Sequence, residues 1–417
     1  MNREHRVILR DESARKQIME DFEHNFLVEA SAGSGKTSCL VKRMIGLVKS
    51  GRYTIEQIAA ITFTRKAAFE LKERFQQEIE SELEKIHNPE EKKLLFQAIE
   101  NIEYCYIGTI HSFCARILRE RSIEAGLDPY FNELDEVDNL LFMEQAWEEY
   151  LANLKIEDVD RFQNLSILGI KIQDLKESFK RICQYPEVEL VHEKMDSPQL
   201  DPAMNKLFSF CDEAIDYIPE QEPAQGYDSA QQAILLVQKL KTFPPYIEKD
   251  FYKIILLDLF CKDFTKSGRI VLKRWLSKEK AKEYRNIVLP QLKAEYIEPA
   301  MERWREYCHS YIIHFIEPAL HYFEGLKEKN SILNFQDLLL KTASLLRNNP
   351  DIRYYFQQKY RTILVDEFQD TDPIQAEIIF YLTGKQLKEY DWKKLTPRAG
   401  RLFIVGDPQQ SDRKSVV

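Results

Sequence analysis

Five short apolar stretches punctuate the chain: Asn25–Ala30 (NFLVEA), Ile58–Thr64 (IAAITFT), Tyr104–Ile110 (YCYIGTI), Thr362–Glu367 (TILVDE) and Leu402–Asp407 (LFIVGD). None alternates polar with apolar, which predicts strands buried on both faces of a parallel sheet. Patterns of helical period follow several of them; KAAFELKERFQQEIESELEKI, after the second stretch, is the longest. Strand followed by helix, repeated, predicts an α/β fold in which ligands bind beyond the carboxyl ends of the strands. Each stretch ends in a polar, motif-like segment. Between the third and fourth stretches lie more than two hundred residues rich in Glu, Lys, Leu, Tyr and Phe. Segments there such as VDNLLFMEQAWEEYLANL and EPAMERWREYCHSYIIHFIEPALHYFEGLKEK read as amphipathic helices. The pattern predicts an α/β domain made of residues 1–128 and 328–417, interrupted by an all-helical insertion over 129–327.

Composition narrows the class. At 417 residues, with 44% hydrophobic and 30% charged residues but only 13 Gly and 16 Pro, the chain has the profile of a helix-rich globular protein. No run approaches the roughly 18 unbroken apolar residues of a membrane span. The charged start, MNREHRVILRDESARKQ, lacks the apolar core of a secretory signal, so a cytoplasmic location is expected. The seven cysteines show no CxxC pair, which points to reduced thiols rather than a zinc site or a disulfide framework. A net charge of −9 argues against coating nucleic acid by bulk electrostatics. It leaves open a local groove of donors and aromatics.

The first stretch runs into Ala30-Ser31-Ala32-Gly33-Ser34-Gly35-Lys36-Thr37 and then the helical pattern SCLVKRMIGLVK. Strand, glycine loop and helix form the setting of a phosphate-binding loop. Its glycines let backbone N–H groups turn around phosphate oxygens, Lys36 reaches the terminal phosphates, and the Thr37 hydroxyl ligates Mg2+. ATP and Mg2+ are the expected ligands.

The fourth stretch ends in Asp366-Glu367-Phe368-Gln369-Asp370. Adjacent carboxylates at a strand end divide the work: Asp366 holds the hydrated Mg2+, and Glu367 orients and deprotonates an attacking water. The last stretch ends in Gly406-Asp407-Pro408-Gln409-Gln410-Ser411. There a neutral amide, Gln410, is placed to donate to the γ-phosphate and to lose that contact after hydrolysis. Lys36, Glu367 and Gln410 form the expected catalytic set, and Thr37 and Asp366 the metal ligands.

In this order, with a long helical insertion, the three segments resemble motifs I, II and III of the UvrD/Rep superfamily 1A DNA helicases. VEASAGSGKT and LFIVGDPQQS are most similar to the AddA/RecB-type branch, which processes double-strand DNA ends. Three more blocks resemble the family: Ile61–Ala68 is similar to motif Ia, with Arg65 where Asn is usual; Gly108–Cys114 is similar to its GTFHSF segment; Leu333–Leu339 is similar to LDFDDLL. The six blocks run from about residue 10 to 411. The resemblance implies a RecA-like P-loop sheet, and it implies that the motif Ia and GTFHSF segments line a single-strand DNA track. The residue chemistry agrees, since Phe63 and Phe113 are of a kind to stack bases, while Thr62, Thr64, His111 and Ser112 are of a kind to donate to phosphates. Core packing is the competing reading of both phenylalanines. A metal role for His111 is rejected, because no residue with ligand spacing accompanies it.

The chain also departs from the family. Its usual adenine-reading glutamine is replaced at the matching position by Ala14, with Gln17 as a substitute, and after the GDPQQS block the chain reads Asp412-Arg413-Lys414-Ser415-Val416-Val417. The family's second RecA-like domain, which brings two arginines and a stacking tyrosine to the nucleotide, has no counterpart in these residues. The expectation is therefore an ATP-dependent 3′-to-5′ DNA helicase of repair or recombination, present as an N-terminal fragment that turns ATP over slowly and does not translocate. Its polarity is implied by the resemblance alone. Single-stranded and duplex DNA are the expected partners, with no membrane, and with a nuclease or helicase partner subunit. Two alternatives remain: a non-catalytic ATP-gated DNA-binding module and an unrelated P-loop kinase.

Overall fold

The computed structural model describes residues 12–31, 35–191, 193, 195–407 and 409. The chain divides into two compact units, one formed by residues up to Asn139 and from Lys329 onward, the other by Leu140–Glu328.

The first unit holds a five-stranded sheet: β1 (Phe26–Glu29), β2 (Ile58–Thr62), β3 (Tyr106–Thr109), β4 (Thr362–Val365) and β5 (Leu402–Gly406). The spatial order is β1-β5-β4-β2-β3 and every pairing is parallel, so all five carboxyl ends share one edge. The two strands that come last in the chain lie between β1 and β2. That interleaving carries the acid pair after β4 toward the glycine loop after β1.

Buried side chains explain the sheet. Successive residues of a strand point to opposite faces, so each central strand feeds two cores. Ile58, Ala60, Leu364, Phe403 and Val405 face the core closed by helices α1 (Lys36–Lys49) and α2 (Arg65–Lys85). Ala59, Ile61, Ile363, Val365, Leu402 and Ile404 face the core closed by α3 (Ile110–Glu120), α4 (Phe335–Asn348) and α5 (Pro373–Thr383). Burying each large apolar side chain contributes about 1.5 to 3 kcal/mol. β2, β4 and β5 are buried along their whole length, as their unbroken apolar sequences predict. The edge strands differ from that expectation: β1 alternates half-buried and exposed positions, with Leu27 67% exposed.

Capping fixes where strands yield to helices. Thr64 begins α2 by accepting from Ala67 N at 3.1 Å, and Thr109 begins α3 by accepting from Ser112 N at 3.2 Å. Asn334 and Asp337 cap α4 reciprocally, each side chain accepting from the other's backbone N–H at 2.9 Å. Such caps contribute about 0.5 to 2 kcal/mol each. Because Thr109, the last residue of β3, is also the cap of α3, Ile110 belongs to a helix and not to the strand its sequence context suggests.

In the second unit the described elements are all helical. One core gathers Trp147, Phe179, Phe315 and Phe323; another gathers Phe210, Phe260, Tyr284 and Trp304. Asp228 is buried there with both oxygens used. Its Oδ1 accepts from Ala230 N and Gln231 N at 3.1 and 3.0 Å, and its Oδ2 from Val271 N and Trp275 Nε1 at 2.8 Å each. A carboxylate satisfied on every side holds the fold together. Among the described residues no helix is long and apolar enough to cross a membrane.

Candidate functional site

The site lies at the carboxyl edge of the sheet. Beyond β1, Ala30 N donates to Gly406 O at 3.0 Å, tying the start of the glycine loop to the end of β5. Ser31 is exposed, and Ala32, Gly33 and Ser34 lie outside the described residues. Gly35 precedes α1 with φ 88°, a left-handed conformation that a side chain adopts only with strain. It aims the first turn of α1 so that Lys36 is 8% exposed and its Nζ donates to Glu367 Oε2 at 2.9 Å. Thr37, next on the helix, is half-buried.

Opposite, Asp366 N donates to Ile61 O at 2.9 Å, carrying the β2–β4 ladder one residue past the strand. Glu367 then turns sharply, with φ 52°. A side-chain-bearing residue held there costs on the order of 1 to 3 kcal/mol, and such strain clusters at functional sites. Its N–H donates to Asp366 Oδ1 at 3.0 Å, and its Oε2 accepts from Gln369 Nε2 at 2.5 Å. Gln369 reaches further: its Oε1 accepts from Asp407 N at 2.8 Å. At Gly406 an added Cβ would stand 2.9 Å from that same oxygen, so a side chain there would have to displace the Gln369 amide from its contact with Asp407 N. Burial, and then the neighbouring Glu367 carboxylate, push the Asp366 carboxyl above its usual pKa, with Lys36 only partly offsetting them. Gln410 and Ser411 lie outside the described residues, whereas Asp407 is buried and accepts from Gln409 N at 3.1 Å.

The six residues expected to touch DNA do not share one environment. Phe63 is 48% exposed beyond β2. Thr64 is exposed with its hydroxyl capping α2, and Thr62 is buried with its hydroxyl donating to Thr64 O at 3.1 Å. His111 is half-buried and stacks on Phe335 with ring centroids 4.8 Å apart, while the Ser112 hydroxyl stands 3.0 Å from Thr109 Oγ1. Burial holds the His111 imidazole below its ordinary pKa despite nearby Asp372, Glu136 and Glu133. Phe113 corrects the sequence expectation of a base-stacking ring. It is fully buried, 4.7 Å from Tyr106 and 4.9 Å from Tyr360 between ring centroids. The reason is helical spacing: α3 buries Ile110, Phe113, Cys114, Ile117 and Leu118, and Phe113 falls on that inward stripe.

The UvrD/REP helicase N-terminal domain model matches residues 11–411. The chain belongs to that family. Its relatives include proteins named as one subunit of an ATP-dependent helicase/nuclease: that of Ligilactobacillus salivarius (strain UCC118) is 27% identical over 95% of this chain, and that of Enterococcus faecalis (strain ATCC 700802 / V583) 25% identical over 95% of it. The protein of the same name from Listeria welshimeri is 24% identical over 93% of this chain. The chain covers 34% of each of these three, about a third of their length.

Within this UvrD/REP member, the donors at the sheet edge suit a hard divalent cation carried by a nucleotide. Asp366 and Glu367 place two carboxylates side by side against a single ammonium, and the Asp366 pKa is raised by burial first and by the neighbouring Glu367 carboxylate second. Mg2+ takes one or two protein carboxylates and otherwise waters and phosphates. A cage of three or more His, Cys, Asp or Glu is not needed, and none occurs among the described residues. Gln369 is a residue of this cluster that the sequence alone leaves without a place. Its spacing, two residues past the second acid, is the available signal; that it bridges Glu367 to β5 is visible only in three dimensions.

Proposed function

We propose that this chain is the ATP-hydrolysing part of a 3′-to-5′ DNA helicase of repair or recombination, with residues 1–128 and 328–417 forming a RecA-like nucleotide-binding domain and 129–327 a helical insertion. The observation that carries this reading is the 2.9 Å hydrogen bond from Lys36 Nζ to Glu367 Oε2, which joins the glycine loop to the acid pair. The polarity, and a partner subunit for this chain, rest on the resemblance and on the name the relatives carry.

In this reading the loop that follows Ala30 cradles the nucleotide phosphates with its N–H groups up to Thr37, and Lys36 exchanges its bond to Glu367 for the terminal phosphate oxygens. The Thr37 hydroxyl and the Asp366 carboxylate would hold Mg2+, which would supply neutralisation of negative charge on the phosphates. Glu367, released from Lys36 but still held by Gln369, accepts the proton of the attacking water. Gln410 senses the γ-phosphate. Phe63, Thr64, His111 and Ser112 face the single strand.

Equilibrium titration of the 417-residue chain with a fluorescent ATP analogue and Mg2+ tests the reading. Saturable, Mg2+-dependent binding is expected, with Lys36→Ala weakening it by at least about tenfold, the loss of one charge-assisted hydrogen bond or more. Equal affinity in the wild type and Lys36→Ala would remove the nucleotide site from this position.

A further inference from the structure

We propose that Arg361, Arg398 and Arg401 form a docking site for an acidic segment of a partner protein, on the edge of the sheet opposite the nucleotide site. The proposal goes beyond the ATPase reading and does not depend on it.

Strand order brings the three arginines together. Arg361 immediately precedes β4 and Arg401 immediately precedes β5, and these strands pair with Ile363 beside Leu402, so both arginines stand at the amino edge. Arg398 joins them through a turn in which Arg401 N donates to Arg398 O at 3.2 Å, while Arg398 N donates to Thr383 O at 2.8 Å. Asn25 Oδ1 accepts from Arg401 N and Leu402 N at 3.0 Å each, which fixes the turn against the chain entering β1. At about 3.3 Å per residue, β4 and β5 put roughly 13 to 17 Å between this edge and the carboxyl edge.

These guanidiniums lack the partners a structural arginine has. Arg353, 1% exposed, donates to four backbone oxygens, those of Leu346, Arg347, Gln386 and Glu389. By contrast, among the described residues no carboxylate forms an ion pair with Arg361, Arg398 or Arg401. Arg401 donates to Gln357 O, Arg361 lies over the Tyr53 ring at 5.4 Å from its centroid, and Arg398 Nε is buried without a partner. Burial first, and then the charges of Arg398 and Arg361, hold the Arg401 guanidinium below its ordinary pKa, so the three are near enough to repel. Like charges gathered without counter-ions are uphill in free energy, and the forked guanidinium donors match a carboxylate.

The surroundings select the kind of anion. Tyr53 and the 48% exposed Tyr354 lie beside Arg401, and arginine with tyrosine is the composition of anchor points in protein interfaces. A nucleic-acid backbone calls for a basic patch or stripe that follows it. Here acids interrupt one: Glu56 precedes Gln57, whose carbonyl accepts from Arg361 N at 2.8 Å, and Asp351 lies one helical turn before Tyr354. A few carboxylates spaced along a short peptide reach the arginines without bringing a continuous run of phosphates against those acids.

Fluorescence anisotropy with the full chain tests this, using a labelled oligoglutamate peptide, its oligoglutamine counterpart and a dT homopolymer. Salt-sensitive binding of oligoglutamate but not of oligoglutamine is expected, weakened at least about fivefold by Arg398→Gln and by Arg361→Gln, the loss of a charge-assisted hydrogen bond or more. Because each substitution removes one of three repelling charges, the Tm is expected to hold or to rise by a few degrees. Wild-type affinity in both variants overturns the proposal, as does a wild-type chain that does not bind oligoglutamate or binds oligoglutamine equally. Binding of dT that the same substitutions weaken as much would assign the arginines to nucleic acid and overturn it. Displacement of the peptide by inorganic phosphate, beyond that by chloride at equal ionic strength, would leave a small-anion site and overturn it too. A Tm lowered by both substitutions would make the cluster structural; if only Arg398→Gln, with its buried Nε, lowers it, peptide binding by Arg361→Gln decides.

Discussion

Lys36 and Glu367 stand 331 residues apart in sequence and 2.9 Å apart in space. The ammonium is almost fully buried, with 8% of its side chain exposed, and the carboxylate is more open at 37%. The pair thus ties the first helix after the glycine loop to the turn after β4. It also occupies the lysine that a triphosphate would need, so nucleotide binding has to exchange one anionic partner for another. Glu367 keeps its second contact, to Gln369, through that exchange.

Removing the competing carboxylate separates binding from chemistry. Glu367→Gln is expected to bind Mg-ATP as well as the wild type or up to about fivefold better, since a partly exposed ion pair contributes about 0 to 1 kcal/mol. Any hydrolysis the chain shows should fall by about 10² to 10⁴ if Glu367 is the general base. Titration and single-turnover assays read the two effects. Weakened binding together with unchanged turnover would assign Glu367 to nucleotide affinity and leave the base unidentified.

Asp366 gives a pH dependence with a definite sign. Its folded-state pKa lies above the ordinary 3.8, so the protonated form is favoured by folding. Stability from this group is fully present below 3.8 and is lost as pH rises through the raised value. Asp366→Asn should therefore match the wild-type Tm at low pH and exceed it above that value, while losing Mg2+-dependent nucleotide binding. Differential scanning fluorimetry across the acid range checks this; a Tm difference independent of pH would contradict it.

His111 has the opposite sign. Burial against Phe335 lowers its pKa from 6.5, so folding favours the neutral ring. The stability it contributes is present above 6.5 and is lost as pH falls through the lowered value. In His111→Gln the Tm should fall less over that window than in the wild type. The ring is also expected to meet DNA phosphate as a neutral donor, without the salt dependence an imidazolium would add.

The two phenylalanines first expected to stack bases should part company. Phe113→Ala opens a cavity in a fully buried aromatic cluster and is expected to cost about 3 to 5 kcal/mol of stability. Phe63→Ala, at a ring 48% exposed, should leave Tm nearly unchanged and weaken single-strand binding by about 1 to 3 kcal/mol. Chemical denaturation and anisotropy titrations distinguish the two, and a DNA-specific loss at Phe113 would reverse its placement in the core.

Much of the sheet could be read from the chain. The unbroken apolar runs ILV before Asp366 and FIV before Gly406 sit in strands buried on both faces, because a central parallel strand has no polar side to show. The Gly35-Lys36-Thr37 turn was legible because a strand, glycines and a helix start follow one another locally. Phe113 was not, since a GTIHSF string does not tell on which side of a helix its ring falls until the Thr109 cap sets where that helix begins.

The sequence by itself determined which chemical groups the protein has at strand ends: an ammonium, a hydroxyl, two carboxylates and several amides, each fixed by neighbours a few residues away. Only the tertiary structure decided which of them meet. Sheet order is set by long-range burial, which no local pattern encodes, and the insertion of β4 and β5 between β1 and β2 brings Lys36 onto Glu367 and links Gln369 to Asp407.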